Sequence, residues 1–437
     1  MKIVLFAILS GGVLSAAAAP VPLAPPDPES PPVPLTLAAA RDLALRRLPR
    51  AVAAQLRAEG AQAQVEQARS AYLPMVNAYL TAVDAGNENT RILAGGLNNP
   101  SIYDRAAGGV AISQLLTDFG RTGNLTAGAK LAARAEGQNA AATREQILLE
   151  VDVSFFSALQ AQAILRVADQ TLQARRFLVD RVSALAHNQL KSSLDVSFSQ
   201  VALEEAELLR QKAAGDEEAA EAALSADLGY PTEQHFVLAD PAPPPAAPPD
   251  LAAALAAARR DRPDLARLRY ERDAARRFAR AENDLSGPTV TATGTVGDAP
   301  WRDSHLPEHY AAGGVNLNFP IFTGGLYRAR QHEARIKADI ADQNLREAED
   351  DADRDVRIAW VNLRTAGQRQ TTAAQLVRHA REAYQLAQAR YQAGSSSIVE
   401  LSQAEVERTS AEIGLAGARY GLMAAQAALE YQTGALK

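Results

Sequence analysis

An internal duplication constrains this chain more than any other feature. The run Gly108-Gly109-Val110-Ala111-Ile112-Ser113-Gln114-Leu115-Leu116-Thr117-Asp118-Phe119-Gly120-Arg121 has a counterpart in Gly313-Gly314-Val315-Asn316-Leu317-Asn318-Phe319-Pro320-Ile321-Phe322-Thr323-Gly324-Gly325-Leu326. Gly109 matches Gly314 and Gly120 matches Gly325, both 205 positions on. Each copy begins with alternating residues, turns a glycine corner and enters a long stretch almost free of Gly and Pro. That pattern is a strand running into a long helix, twice over. Upstream, Leu37 matches Leu251, Pro49 matches Pro263 and Pro74 matches Pro288, all at 214. The offset falls by nine, from 214 to 205, so the first hairpin loop is the longer one.

Composition narrows the class. The chain has 437 residues, 45 basic and 51 acidic, for a net charge of −6. That balance offers nucleic acid no basic face. Aromatics make up 5%. With long runs of Ala, Leu, Glu, Arg and Gln, this points to long helices rather than to a globular aromatic core. There is no Cys, hence no disulfide, thiolate metal site, thiol nucleophile or lipid-modified N-terminal Cys. Length alone suggests about three domains, but the duplication reads as two halves of one architecture.

Residues 1–18 read as a secretory signal: Lys2, an apolar stretch from Ile3 to Leu14, and the small residues Ala16-Ala17-Ala18. The apolar stretch is shorter than the ~20 residues a membrane span needs. No later run reads as a transmembrane helix. Residues 19–34 are Pro-rich, extended or disordered chain. The first repeat covers 35–229, a Pro-rich linker 230–249, and the second repeat 250–437. In the first repeat a helix starts near Thr36 and ends near Ser70, with an interruption at Pro49. Strands are expected over 75–83 and 107–116, around a polar loop from about Asp84 to Arg105. One helix then runs from Arg121 to about Asn188, and a return helix from about Leu194 to Leu228 stops at Gly229 and Pro231. The second repeat carries strands over 289–296 and 312–319, a helix from Gly325 to about Tyr391, and a last helix from about Ile398 to Gln432.

In the strands the apolar side is Val76, Ala78 and Leu80, then Val110 and Ile112, then Val290, Ala292 and Val296, then Val315 and Leu317. Asn77, Tyr79 and Thr81, with Thr289, Thr291, Thr293 and Thr295, take the other side. The first group is the candidate membrane-facing surface. Four such strands are too few to close a barrel, and open edges are not tolerated in lipid. Several chains must therefore share one barrel. The helix from Arg121 would be about 100 Å long, too long for a compact domain, and two shorter helices end to end would match it. Ile147, Val151, Ser154, Ala158, Ala161, Leu165, Ala168 and Leu172 recur in steps of four and three, a coiled-coil seam of small residues. Ala352, Val356, Ala359, Leu363, Ala366, Gln370, Ala373 and Val377 repeat it. The expected shape is a rod of helices with the linker at its waist and both hairpins at one end.

Three stretches resemble the signatures of the TolC-type outer-membrane efflux family. They are Leu116-Thr117-Asp118-Phe119-Gly120-Arg121, Pro320-Ile321-Phe322-Thr323-Gly324-Gly325 and Tyr391-Gln392-Ala393-Gly394-Ser395-Ser396-Ser397-Ile398-Val399-Glu400-Leu401. Their order and spacing carry the resemblance over nearly the whole mature chain. It implies a mainly α fold with a small β part, two tandem repeats of a β-hairpin plus long coiled-coil helices, and a homotrimeric α/β barrel. Three sets of four strands would form a twelve-stranded transmembrane barrel in outer-membrane lipid. The helices would form a periplasmic α-barrel. A periplasmic adaptor (membrane fusion) protein and an inner-membrane RND or ABC pump would complete an efflux or type I secretion path. No cofactor and no nucleic acid are implied. The competing reading is a secreted or periplasmic coiled-coil scaffold or adaptor without a pore.

Asp195 and Glu400 are repeat counterparts, each just beyond a helical turn. In a trimer either would form a carboxylate ring that attracts cations. The resemblance adds Tyr391, whose counterpart in the family bonds to the acidic residue of the other repeat and helps hold the aperture shut. It also implies a basic residue where this chain has Ser396. Asp195, Tyr391 and Glu400 are thus the candidate periplasmic gate. The plainer reading is that the two carboxylates cap helix starts. The acidic run Glu349, Asp350, Asp351, Asp353 and Asp355 reads as a solvated face near the waist. His305 and His309 flank Pro307, so they read as loop residues rather than a metal pair. No Lys-Ser/Thr follows the paired glycines, which excludes a phosphate loop. No catalytic set stands out, so an enzyme is not expected.

Overall fold

The computed structural model describes residues 34–84, 90–91, 101–102, 104–242 and 249–436. The proposed signal, all of 19–33 and part of the linker lie outside them. Each repeat opens with a helix pair broken at proline: α1 (Leu37–Arg47) and α2 (Pro49–Ser70), then α5 (Leu251–Asp261) and α6 (Pro263–Asp284). Leu48 and Arg262, each preceding a proline, take extended backbone, because proline disfavours helical geometry in the residue before it. The Thr36 hydroxyl accepts from Ala39 N–H (3.2 Å), and the Asp250 carboxylate from Ala253 N–H (3.1 Å), to start α1 and α5. The strands are β1 (Met75–Val83), the short β2 (Thr90–Arg91) and β3 (Ser101–Ile102), β4 (Arg105–Thr117), β5 (Thr289–Arg302) and β6 (His309–Asn318). The long helices are α3 (Arg121–His187) and α7 (Leu326–Gln392), each 67 residues. Their returns are α4 (Ser193–Asp227) and α8 (Ile398–Thr433). Gly120 and Gly325 make the corners with φ of 114° and 86°, a conformation in which a side chain is strained.

The two hairpins join edge to edge in one antiparallel sheet ordered β1-β4-β5-β6. Register puts Val76, Ile112, Gly294 and Gly313 in one row, and Ala78, Val110, Val296 and Ala311 in the next. Ala292 pairs with Val315 and Val290 with Leu317. All ten candidate membrane-facing residues therefore share one face. Leu80, Leu317 and Val315 on it are 88%, 69% and 65% exposed. A bulge between Leu115 and Thr117 keeps Val290 on that face.

The other face is polar and is bridged from edge to edge by two tyrosines. Tyr79 on β1 and Tyr310 on β6 stand on opposite edges, about 14 Å apart in a flat sheet. Their hydroxyls meet at 3.0 Å, and Tyr79 Oη lies 2.7 Å from Thr295 Oγ1. The rings cross over Gly109 and Gly297, where an added Cβ would collide with the Tyr310 hydroxyl. The second hairpin is longer than the alternation predicts: β5 continues past Val296 to Arg302. Asp298 pairs with His309, and Ala299 N–H donates to Glu308 O (2.7 Å). A register shift opposite Ala106–Gly108 absorbs the irregular Ala299-Pro300 segment.

Below the sheet the predicted seams form the packing surface. Ile147, Val151 and Ala158 are fully buried, in a core with α1, the end of α4 and Tyr420, Met423 and Ala427 of α8. Val356, Ala359 and Leu363 build the matching core with α5 and α8. One stretch of α3 is apolar enough to span a membrane by composition, contrary to the sequence expectation. It is 56% buried inside the protomer, so its hydropathy reflects this core. The chain after α4 packs at the same height: Leu238 bridges to Leu35, and Phe236 and Tyr230 lie against the core.

Replacing Val296, on the apolar face, with Arg should destabilise the folded protein by about 2–4 kcal/mol near the bilayer midplane. Thr293→Arg, on the polar face, should change it little. Urea unfolding in lipid vesicles checks this, and equal losses for both variants would overturn the facing assignment.

Candidate functional site

The far ends of the helical hairpins carry the candidate gate, and their turns are built alike. Gln189 and Gly394, repeat counterparts, both take left-handed backbone, with φ of 56° and 73°. Ser192 and Ser397 then start α4 and α8, each hydroxyl accepting from the N–H three residues on (3.1 and 3.3 Å). The carboxylates at those third positions behave differently. Asp195 Oδ2 accepts from Ser192 N–H (3.1 Å) and Ser192 Oγ–H (2.9 Å), completing a capping box. Glu400 is drawn instead to Arg390, with Nη1–Oε1 at 2.8 Å. Leu185 stands at the Arg390 position in the first repeat, so Asp195 has no such partner.

Tyr391 sits in a small core with Val182, Ala387, Ile398 and Leu401 that joins the two hairpins. It is 7% exposed, and its hydroxyl has no hydrogen-bond partner among the described residues. The bond to Asp195 implied by the family resemblance is therefore not made in this protomer, where Asp195 serves as a cap. Burial pushes the Tyr391 phenol above its ordinary pKa, with the nearby Asp195 charge adding to the effect. Lys191, on the first turn, holds its Nζ 4.2 Å from the centre of the Tyr391 ring.

Further along the hairpins lies a buried ionic contact absent from the sequence-based site. Arg175 on α3 and Glu405 on α8 are 3% and 2% exposed, with Nε–Oε2 at 3.2 Å. Arg175 also donates to Ser402 Oγ (3.1 Å) and Ser402 O (3.4 Å). Arg408 reaches Glu405 Oε1 only at 3.6 Å and lies over the Tyr384 ring at 4.1 Å. Glu405 Oε1 consequently has no hydrogen bond among the described residues. Desolvation pushes the Glu405 carboxyl above its usual pKa, against the opposing pull of Arg175 and Arg408. Arg175 follows Leu172 by three and Glu405 follows Leu401 by four. Both are charged residues at seam positions, and that placement is the sequence signal for the pair.

The acidic run on α7 is mostly an ionic seam. Glu349 pairs with Arg269 (3.0 Å), Asp353 with Arg259 (2.6 Å), and Asp351 and Asp355 with Arg354 (2.5 and 2.9 Å). His305 pairs with Asp303 and His309 with Asp298, so the two histidines do not converge. No group of metal-ligating side chains occurs among the described residues.

This fold and this paired helical tip have counterparts among known proteins. The outer membrane efflux protein family model matches residues 40–230 and 254–435. The chain belongs to that family. Solved structures include the open state of the Neisseria gonorrhoeae MtrE outer membrane channel, 23% identical, with a TM-score of 0.75 over 92% of this chain and 89% of that one. The Campylobacter jejuni CmeC outer membrane channel is 16% identical, with a TM-score of 0.74 over 91% and 85%. The Vibrio cholerae outer membrane protein VceC is 19% identical, with a TM-score of 0.73 over 91% and 96%. At these identities the likeness establishes the fold. No curated protein matches the chain. The protein is an outer-membrane efflux channel of the Gram-negative envelope that extends into the periplasm, and not an enzyme. The scaffold reading without a pore is set aside.

Because the Glu405 pKa is raised in the folded state, that state holds the proton over a pH window in which the unfolded chain has released it. The contribution of Glu405 to stability is fully present below its ordinary value of 4.5 and falls as pH rises above it. Glu405→Gln removes this titration. Melting temperatures of wild type and variant across that window should diverge, with wild type losing ground as pH rises; parallel curves would refute the assignment.

Proposed function

We propose that the chain is the exit duct of a tripartite efflux or type I secretion system, assembled as a homotrimer. It conducts passively from a periplasmic adaptor and an inner-membrane RND or ABC pump to the exterior. One observation carries the trimer: β1 and β6 end the sheet, and their unpaired N–H and C=O groups need partners in lipid. Two further copies would supply them, with twelve strands, an even number as in bacterial outer-membrane barrels. Tyr79 and Tyr310, joined at their hydroxyls on the polar face, would then lie on the lumen side. The organisation that fits is a signal over 1–18, a Pro-rich segment over 19–34, repeats over 35–229 and 250–437, and a linker over 230–249. Adaptor and pump fit the far end, where the two helical turns are presented together.

In this reading Asp195, Tyr391 and Glu400 govern the aperture at that end. Asp195 and Glu400 are both half-exposed, and threefold symmetry would turn each into a ring. Tyr391 anchors the two hairpins to one another from within their shared core. Capping and gating are compatible, since a carboxylate that caps a helix keeps its charge.

Purified protein in planar bilayers tests both levels. It should conduct as a heat-resistant trimer, and a functional monomer with ordered strands would refute the assembly. Glu400→Ala should weaken block by multivalent cations from the helical side. Tyr391→Leu should raise the open probability. If both variants behave as wild type, these residues shape the hairpin ends without governing the aperture.

A further inference from the structure

We propose that Lys191 is the cation that latches the tip, binding the face of Tyr391 and so holding the first hairpin to the second; this rests on the gate reading above. The two groups are 200 positions apart in sequence and meet only because the hairpin ends converge, with Nζ 4.2 Å from the ring centre. Neither repeat contains the pair by itself. At the 205 offset Lys191 corresponds to Ser396, and Tyr391 corresponds to Ala186. The pairing is thus a device of the junction between hairpins rather than a feature of the repeat.

The surroundings favour it. Tyr391 is 7% exposed and its hydroxyl makes no hydrogen bond among the described residues. What the side chain offers the opposite hairpin is therefore its apolar body and its electron-rich face. Lys191 is half-buried over that face, where partial desolvation strengthens the attraction between an ammonium and a ring. The other charges bearing on Tyr391 are Asp195 and Arg181. Asp195 is engaged by Ser192 on the same turn as Lys191. The turn geometry places the lysine: Gln189 in left-handed backbone reverses the chain two residues earlier, and Ser192 starts α4 one residue later. Movement of either hairpin end away from the other separates the cation from the ring without breaking any backbone hydrogen bond.

The full trimer in planar bilayers is again the assay. Lys191→Gln should raise the open probability about fivefold if one cation–ring pair governs opening, and on the order of a hundredfold if the three pairs of a trimer act together. Lys191→Arg should keep the wild-type value, because a guanidinium binds an aromatic face equally well. Lys191→Gln added to Tyr391→Leu should have no further effect. Heat-resistant migration of each variant checks that assembly is intact. If Lys191→Gln leaves gating unchanged while Tyr391→Leu alters it, the latch proposal fails and the gate reading stands. Lys191→Arg behaving like Lys191→Gln also overturns the latch. If neither Lys191→Gln nor Tyr391→Leu changes conduction and Glu400→Ala leaves cation block intact, the gate reading fails and takes the latch with it.

Discussion

A backbone amide that faces hydrocarbon without a partner loses several kcal/mol, and that single constraint organises this protein. Each repeat contributes one hairpin, which could not stand in a membrane. Two hairpins joined as β1-β4-β5-β6 still leave two edges. The two faces of the sheet are also set apart by their side chains. One face is apolar and exposed, while Tyr79 and Tyr310 lie across Gly109 and Gly297 on the other. A larger residue at either glycine would collide with the Tyr310 hydroxyl and lift the tyrosines from the sheet.

The helices answer a different constraint, that of holding rods about 100 Å long in register with small side chains. Seams of Ala, Ser and Val give close approach but little to prevent sliding. Ion pairs supply the stops. Arg41 grips the fully buried Asp152 through two hydrogen bonds, at 2.7 and 2.5 Å, and Arg259 grips Asp353 at 3.0 and 2.6 Å. These are not strict counterparts. Arg259 lies four residues beyond the position that matches Arg41, and Asp353 four residues before the one that matches Asp152. On antiparallel helices those two shifts describe one movement of a single turn. The same clamp is therefore used in both repeats, one turn apart. Asp152 is fully buried, so losing its Arg41 partner would be far more disruptive than removing both; Arg259 is largely exposed, and its clamp is the weaker stop.

How much of this was legible in the sequence depended on which residues speak locally. Pro49, Pro263, Gly120, Gly325 and Gly229 act on their own backbone, and the helix ends they mark fall within a residue or two of expectation. Strand faces were legible because alternation is also local, and all ten apolar-face residues share a side. Beyond Val296 alternation falters at Gly297, Ala299 and Pro300, so the longer second hairpin stayed hidden until the pairing of His309 and Tyr310 revealed it. Pairings between repeats were the least visible. Arg175 and Glu405 occupy seam positions, but a charge at a seam says only that a partner is needed. It does not say which helix supplies it, and here the partner is 230 residues away.

The tip shows why a duplicated chain should not be read as two copies of one function. Both turns keep the left-handed residue, the capping serine and the acidic third position, since each hairpin must reverse on its own. Everything that joins the hairpins differs between them. Arg390 takes Glu400 out of its capping role, while Asp195 keeps that role because Leu185 offers no charge. The cation that the family resemblance implies at Ser396 is found instead at the matching position of the other turn, Lys191, and it meets Tyr391 rather than a carboxylate. A junction between unlike residues can be strengthened or loosened without disturbing either turn. That separation lets the local physics of reversal stay fixed while the strength of the junction, and with it the ease of opening in the proposed gate, is free to vary.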